Sequence, residues 1–220
     1  MRDYTMVDGR SIPNDLIDML KLIANGDLAK AAESIRVYWS SEVERAINYL
    51  GFKMLGQGSF STVFHIPGSD GVIKMNHNPD DHWVKYAKYA RINAAINPML
   101  PKVFELHQHP DNGMVIARME KLDAIDYVRT IGMRDVVVSL SGDLKHGQMS
   151  KRGIRNKTLK YLHDKFDFGY KGSYSAINLA KIVVWMTNTI KANPDVRVDC
   201  HYANWMLRGH ELVLNDPLAD

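Results

Sequence analysis

The chain has 220 residues, 45% of them hydrophobic and 24% charged, with a formal net charge of +3. A charge this mild gives no ground for direct nucleic-acid binding. A single cysteine, Cys200, excludes an internal disulfide and a Cys-based zinc finger, and no stretch approaches the roughly 18 apolar residues that span a bilayer. The first residues, Met1-Arg-Asp-Tyr-Thr-Met-Val-Asp8, lack the apolar core of a secretory leader. The expectation is a cytoplasmic protein of one substantial domain or two lobes sharing a cleft.

In chain order, residues 11–50 read as helical. Ser11-Ile-Pro13-Asn-Asp15 has helix-start chemistry and Asn25-Gly26 ends a first helix. A second helix is expected from about Asp27, through Ile35, Tyr38 and Trp39, to Leu50, with Gly51 as its stop. This segment reads as an extension placed before the next unit. From Phe52 the pattern becomes β. Phe52–Leu55, Thr62–Ile66 and Gly71–Met75 are short β-type runs, separated by Gly56-Gln57-Gly58 and Pro67-Gly-Ser-Asp-Gly71. Trp83, Ala87, Ala90 and Ala94 recur at helical spacing, so a helix is expected near 80–95, closed by Asn97-Pro98. Two further strands are expected at Lys102–Leu106 and Met114–Met119. Leu179, Ile182, Val183, Met186 and Ile190 then mark one face of a helix ending at Asn193-Pro194. Trp205–Arg208 and Leu212–Leu214 read as a hairpin turning at Gly209-His210.

Four fragments carry chemistry. In Leu55-Gly56-Gln57-Gly58-Ser59-Phe60-Ser61-Thr62-Val63, two glycines let backbone N–H groups approach phosphates. Phe60 would fold over the tip and Val63 would pack on an adenine ring. The protein-kinase pattern has a third glycine where Ser61 stands, and taken alone the glycine pair is more simply explained by an ordinary hairpin turn. Lys74 lies on the third strand of the meander, where an ammonium would reach the α- and β-phosphates. The glutamate that pairs with this lysine in kinases has no counterpart, because there is no glutamate between Glu44 and Glu105. Asp81, an acid from the extension, or no partner are the alternatives, and Asp80 and Asp81 also suit a helix start. Met119 would guard a back pocket, with backbone groups of Glu120 to Leu122 contacting adenine.

The fourth fragment is the most specific. Asp199 and Asn204 have the spacing of a kinase catalytic loop, and Asp216 is returned beside Asn204 by the expected hairpin. Asp199 would act as base. Asn204 and Asp216 would hold Mg²⁺ through hard oxygen ligands. Arg197-Val198-Asp199 replaces His-Arg-Asp and Asn215-Asp216-Pro217 replaces Asp-Phe-Gly. The literal Asp167-Phe168-Gly169 precedes the catalytic loop and cannot be the metal segment in this order. Between Asp143 and Asp164 stand six basic residues (145, 151, 152, 155, 157 and 160) and no acid. They read as a solvated face or a docking surface for an acidic partner. Cys200 reads as a packing residue.

With these residues the chain resembles the early serine/threonine protein kinase of autographivirus (T-seven-like) phages. The carrying segments are Leu55–Val63, Val72-Ile-Lys74, His201-Tyr-Ala-Asn204-Trp-Met206 and Leu214-Asn-Asp-Pro217. The resemblance covers about residues 50–220. It implies an α+β bilobal protein-kinase-like fold, with a helical extension over 1–50, a β-rich N-lobe over 51–121 and a helical C-lobe over 122–220. It further implies ATP and Mg²⁺ as cofactors, and host proteins as substrates in the bacterial cytoplasm. RNA polymerase, ribonucleases and translation proteins are the expected targets. The chain ends four residues after Asp216, so the activation segment and docking helices of a larger kinase are not expected within it. Two other functions stay open: a kinase-fold protein that inhibits a host factor by binding, and a small-molecule phosphotransferase.

Overall fold

The computed structural model describes residues 3–77, 79–125, 171–193, 195–199, 204–209 and 211–219. The basic run, Asp167-Phe168-Gly169, Cys200 and His201–Ala203 lie outside the described residues. The fold is mixed α and β. It divides into two units, one of residues 1–88 with 102–121, the other of residues 89–101 with 122–220.

The first unit opens with a short antiparallel hairpin, β1 (Tyr4–Val7) and β2 (Arg10–Pro13), which the helix-start reading of Ser11–Asp15 did not anticipate. Helix α1 (Asn14–Ala24) follows at Pro13 and buries Leu16, Ile17, Met19, Leu20 and Ile23. Gly26, at φ +84, supplies the left-handed residue that turns the chain into the next helix. The expected second helix is broken in two. Helix α2 (Leu28–Ser34) is capped by the Asp27 carboxylate, which accepts from the Lys30 N–H at 3.3 Å. Helix α3 (Ser40–Tyr49) begins only after an extended stretch. Ile35 and Trp39 both have ψ near 140° (136° and 140°), and the Glu42 carboxylate accepts from the Trp39 N–H at 2.9 Å, starting a new helix there. β-Branched and aromatic residues at 35–39 favour this extended link over continuous helix.

A five-stranded antiparallel sheet completes this unit, in the order β3 (Lys53–Gln57), β4 (Ser61–His65), β5 (Val72–Asn76), β7 (Val115–Met119), β6 (Val103–Gln108). Its two faces have different partners. Phe64, Ile73, Met75, Met114 and Ile116 join the buried residues of α1, α2 and α3 in one apolar cluster. Side chains alternate across a strand, so Val63, Lys74 and Ala117, which are cross-strand neighbours, share the other face. Helix α4 (Asp81–Asn93) is capped by Asp80, whose carboxylate accepts from the Trp83 N–H at 2.9 Å.

The second unit takes the end of α4 and the loop after it. Helix α5 (Lys171–Ala192) buries Leu179, Ile182, Val183 and Met186, and Trp185 stacks on Tyr89 with centroids 4.7 Å apart. Beside them lie a three-stranded sheet in the order β11 (Glu211–Leu214), β10 (Trp205–Arg208), β8 (Asp123–Ala124), and a two-stranded pair, β9 (Arg197–Val198) with β12 (Leu218–Ala219). Trp205, Val213 and Leu214 are buried. The Arg208 guanidinium donates to the carbonyls of Pro98 at 2.7 Å and Leu100 at 2.9 Å. The Leu214 N–H reaches the Met99 carbonyl at 2.9 Å. The hairpin is thereby fixed to the post-α4 loop. Among the described residues, no helix is long and apolar enough to cross a membrane.

Candidate active site

The glycine-rich segment forms the end of β3, the turn and the start of β4. Gly58 N–H donates to the Ser61 carbonyl at 2.8 Å, closing a tight turn over Ser59 and Phe60. Leu55, Gly56, Gln57, Gly58, Ser59 and Phe60 are all exposed. The Gln57 side-chain amide donates to the Ser40 carbonyl at the start of α3 (2.9 Å) and to the Thr62 hydroxyl (3.4 Å). The N-terminal extension therefore touches the glycine-rich strand directly. On the other side, the His77 N–H donates to the Phe60 carbonyl at 2.9 Å, and His77 Nε2 lies 3.1 Å from the Ser59 carbonyl.

Lys74 is 3% exposed, so it is no surface lysine. Its register partners are Val63 on β4 and Ala117 on β7. Its ammonium lies 4.2 Å from the ring centroid of Trp83 on α4, a cation–π arrangement in a desolvated setting. The acids weighed for this role divide. Asp80 caps α4 through Trp83 N–H. Of the extension's acids, Asp27 caps α2 and Glu42 caps α3. The Asp81 side chain lies outside the described residues. The indole was not foreseen as a partner, because Trp83 reads from its spacing only as a core residue.

At the end of β7, Met119 is buried opposite Val72 and Val103. The Glu120 N–H donates to the Lys102 carbonyl at 3.0 Å, and the Glu120 carboxylate accepts from the Lys102 N–H at 2.7 Å. The Glu120 N–H is thereby engaged by Lys102. Leu122 is half-buried just before β8.

In the second unit, backbone pairing draws Asp199, Asn204 and Asp216 together. β9 ends at Val198, and its partner β12 begins at Leu218. The Asp199 N–H donates to the Pro217 carbonyl at 2.7 Å, so the residue after β9 is tied to the residue before β12. The Asn215 N–H donates to the Asn204 carbonyl at 2.7 Å, extending the β10–β11 hairpin one step beyond its Trp205–Leu214 pair. Asp216 sits between these two ties. The Asn204 amide closes the arrangement by donating to the Asp199 carbonyl at 2.6 Å and to Asp199 Oδ2 at 3.2 Å. With Nδ2 directed at Asp199, Asn204 presents Oδ1 as its remaining hard donor. Asp216 Oδ1 is buried. One carboxylate and one amide oxygen suit Mg²⁺, which takes few protein ligands and completes its shell with phosphates and water. Among the described residues, no group of three or more His, Cys, Asp or Glu forms a separate metal cluster.

No family model matches the chain, and no curated protein does. A solved structure that it resembles is the streptomycin–ATP–APH(2″)-IIa ternary complex, at 14% identity and a TM-score of 0.29, over 84% of this chain and 73% of that one. At that level of similarity, the residues of this chain carry the functional reading.

Proposed function

We propose that the chain is an ATP-dependent phosphotransferase of the protein-kinase type, acting on serine and threonine hydroxyls of proteins. The observation that carries this reading is the Asn204 amide bound to Asp199, with Asp216 held between the Asp199–Pro217 and Asn204–Asn215 backbone bonds. A base and two hard metal ligands at this sequence spacing are what phosphoryl transfer to a hydroxyl requires.

In this reading, Asp199 accepts the proton of the attacking hydroxyl, and its hydrogen bond to Asn204 orients the carboxylate. Asn204 Oδ1 and the Asp216 carboxylate would hold Mg²⁺, which would supply neutralising charge to the nucleotide phosphates. Lys74 leaves the Trp83 face to meet the α- and β-phosphates. The turn at Ser59–Ser61 offers N–H groups to the terminal phosphates. Val63 and Ala117 form the apolar floor for the base, and Met119 bounds it. The resemblance of these segments to phage early kinases favours host proteins as acceptors, and the transcription and RNA-processing machinery are the first to test.

The test is an acceptor panel with labelled ATP and Mg²⁺: the protein itself, a bacterial lysate, and small alcohols including aminoglycosides. Label on phosphoserine or phosphothreonine, lost in Asp199→Ala, supports the reading. Label confined to small alcohols assigns a small-molecule phosphotransferase instead. No transfer by folded protein, together with a full biological effect from Asp199→Ala, assigns a binding function.

A further inference from the structure

Deepening that reading, and resting on it, we infer that His77 is a positioning residue for the phosphate-binding turn. It sits immediately after β5, three residues beyond Lys74, and is 3% exposed. It holds two consecutive carbonyls of the turn, Ser59 through Nε2 at 3.1 Å and Phe60 through its own N–H at 2.9 Å.

The consequence follows from peptide geometry. Among the described residues no peptide bond is cis, and in a planar trans peptide the N–H points opposite to the C=O. The Ser59 carbonyl faces His77, so the Phe60 N–H faces away from it. The Phe60 carbonyl also faces His77, so the Ser61 N–H faces away as well. Gly58 N–H is used within the turn, on the Ser61 carbonyl. His77 thus fixes two successive N–H groups on the side remote from β5, and such successive donors are what an anion binds. Without the clamp, a turn flanked by Gly56 and Gly58 samples many conformations, and the donors lose their common direction.

The bond to a carbonyl also sets the tautomer. Nε2 must carry the hydrogen, which leaves Nδ1 as the unprotonated nitrogen. Nδ1 is buried and has no hydrogen-bond partner among the described residues. Burial accordingly lowers the His77 pKa below the usual 6.5, an effect larger than the opposing pull of the Ser59 carbonyl. The ring is therefore a neutral donor at pH 7.

The inference is tested with three variants. Gln places its amide nitrogen the same number of bonds from Cα as His Nε2, Asn is one bond shorter, and Leu has no donor. Expected are a KM for ATP within about threefold of wild type in His77→Gln, and a rise of about tenfold in His77→Asn and His77→Leu, with kcat changed by less than about threefold. Hydrogen exchange at Phe60–Thr62 in nucleotide-free protein should be faster in His77→Asn than in His77→Gln. The Asn and Gln pair carries the test should Leu not fold. Equal KM and equal exchange in folded Gln and Asn variants overturn the clamp while leaving the kinase reading intact. Wild type that binds no ATP overturns both.

Discussion

The Lys74 ammonium lies over the indole of Trp83, 4.2 Å from the ring centroid. β5 and α4 are thus joined by a cation and an aromatic face, at the lysine that the proposed function directs toward phosphates. Trp83 is fully buried, so the contact is desolvated. It contributes to stabilising a buried charge.

Replacing Trp83 separates ring from volume. Trp83→Leu should lower unfolding free energy by roughly 2–4 kcal/mol, combining a cavity with loss of the cation–π contact. Trp83→Phe keeps a ring face and should cost less. Urea denaturation of both variants measures this. Equal loss in Phe and Leu would show that the ring face does not hold Lys74.

Gly71 joins the β4–β5 turn to β5 at φ +99, and a Cβ there would stand 2.3 Å from the Met119 carbonyl oxygen. Both the backbone conformation and the close approach of β7 exclude a side chain. Gly71→Ala should destabilise the sheet by roughly 2–4 kcal/mol. Thermal unfolding beside Gly68→Ala, where nothing lies within 4 Å of an added Cβ, distinguishes the two causes. A similar loss in both would leave φ strain alone responsible.

The depressed His77 pKa has a consequence for stability. As pH falls below about 6.5, the unfolded chain takes up this proton before the folded one. The stability this histidine contributes above that pH is therefore lost as pH drops toward its folded value. The stability difference between wild type and His77→Gln should shift against wild type from pH 7.5 to about pH 5, in matched denaturant titrations. A pH-independent difference would contradict a buried neutral ring.

Arg208 anchors the β10–β11 hairpin to the Pro98 and Leu100 carbonyls. Arg208→Lys keeps the charge but loses the fork that meets two carbonyls at once. A loss of roughly 1–3 kcal/mol is expected, with weaker Mg²⁺-dependent nucleotide binding because Asn204 and Asp216 flank that hairpin. Calorimetric titration with ATP and Mg²⁺ checks the second effect. Unchanged affinity would show that the hairpin keeps its place without Arg208.

The five strands of the larger sheet and the β10–β11 hairpin were legible because glycine turns and β-branched runs mark strand ends within a residue or two. The helix at 81–93 was legible from its alanine and tryptophan spacing. The break between α2 and α3 was not, since it depends on Glu42 capping Trp39 while the apolar spacing continues across it. In the candidate site, the Asp199–Asn204 spacing is visible in sequence. The contacts that give it shape are carbonyls, at Pro217, Asn204 and Asp199 itself, and backbone groups leave no residue signature. Trp83 and His77 escaped for a related reason. Trp83 reads only as core and His77 belongs to no motif, and each acquires a role only when the fold sets it beside Lys74 or the Ser59 carbonyl.

The most direct measurement is single-turnover transfer of the γ-phosphate from saturating ATP and Mg²⁺, wild type against Asp216→Ala, with folding of both verified by circular dichroism. The account predicts transfer by wild type and a loss of at least about 10²-fold in the variant. Undiminished transfer in folded Asp216→Ala would contradict the assignment of Asn204 and Asp216 as the metal-binding pair.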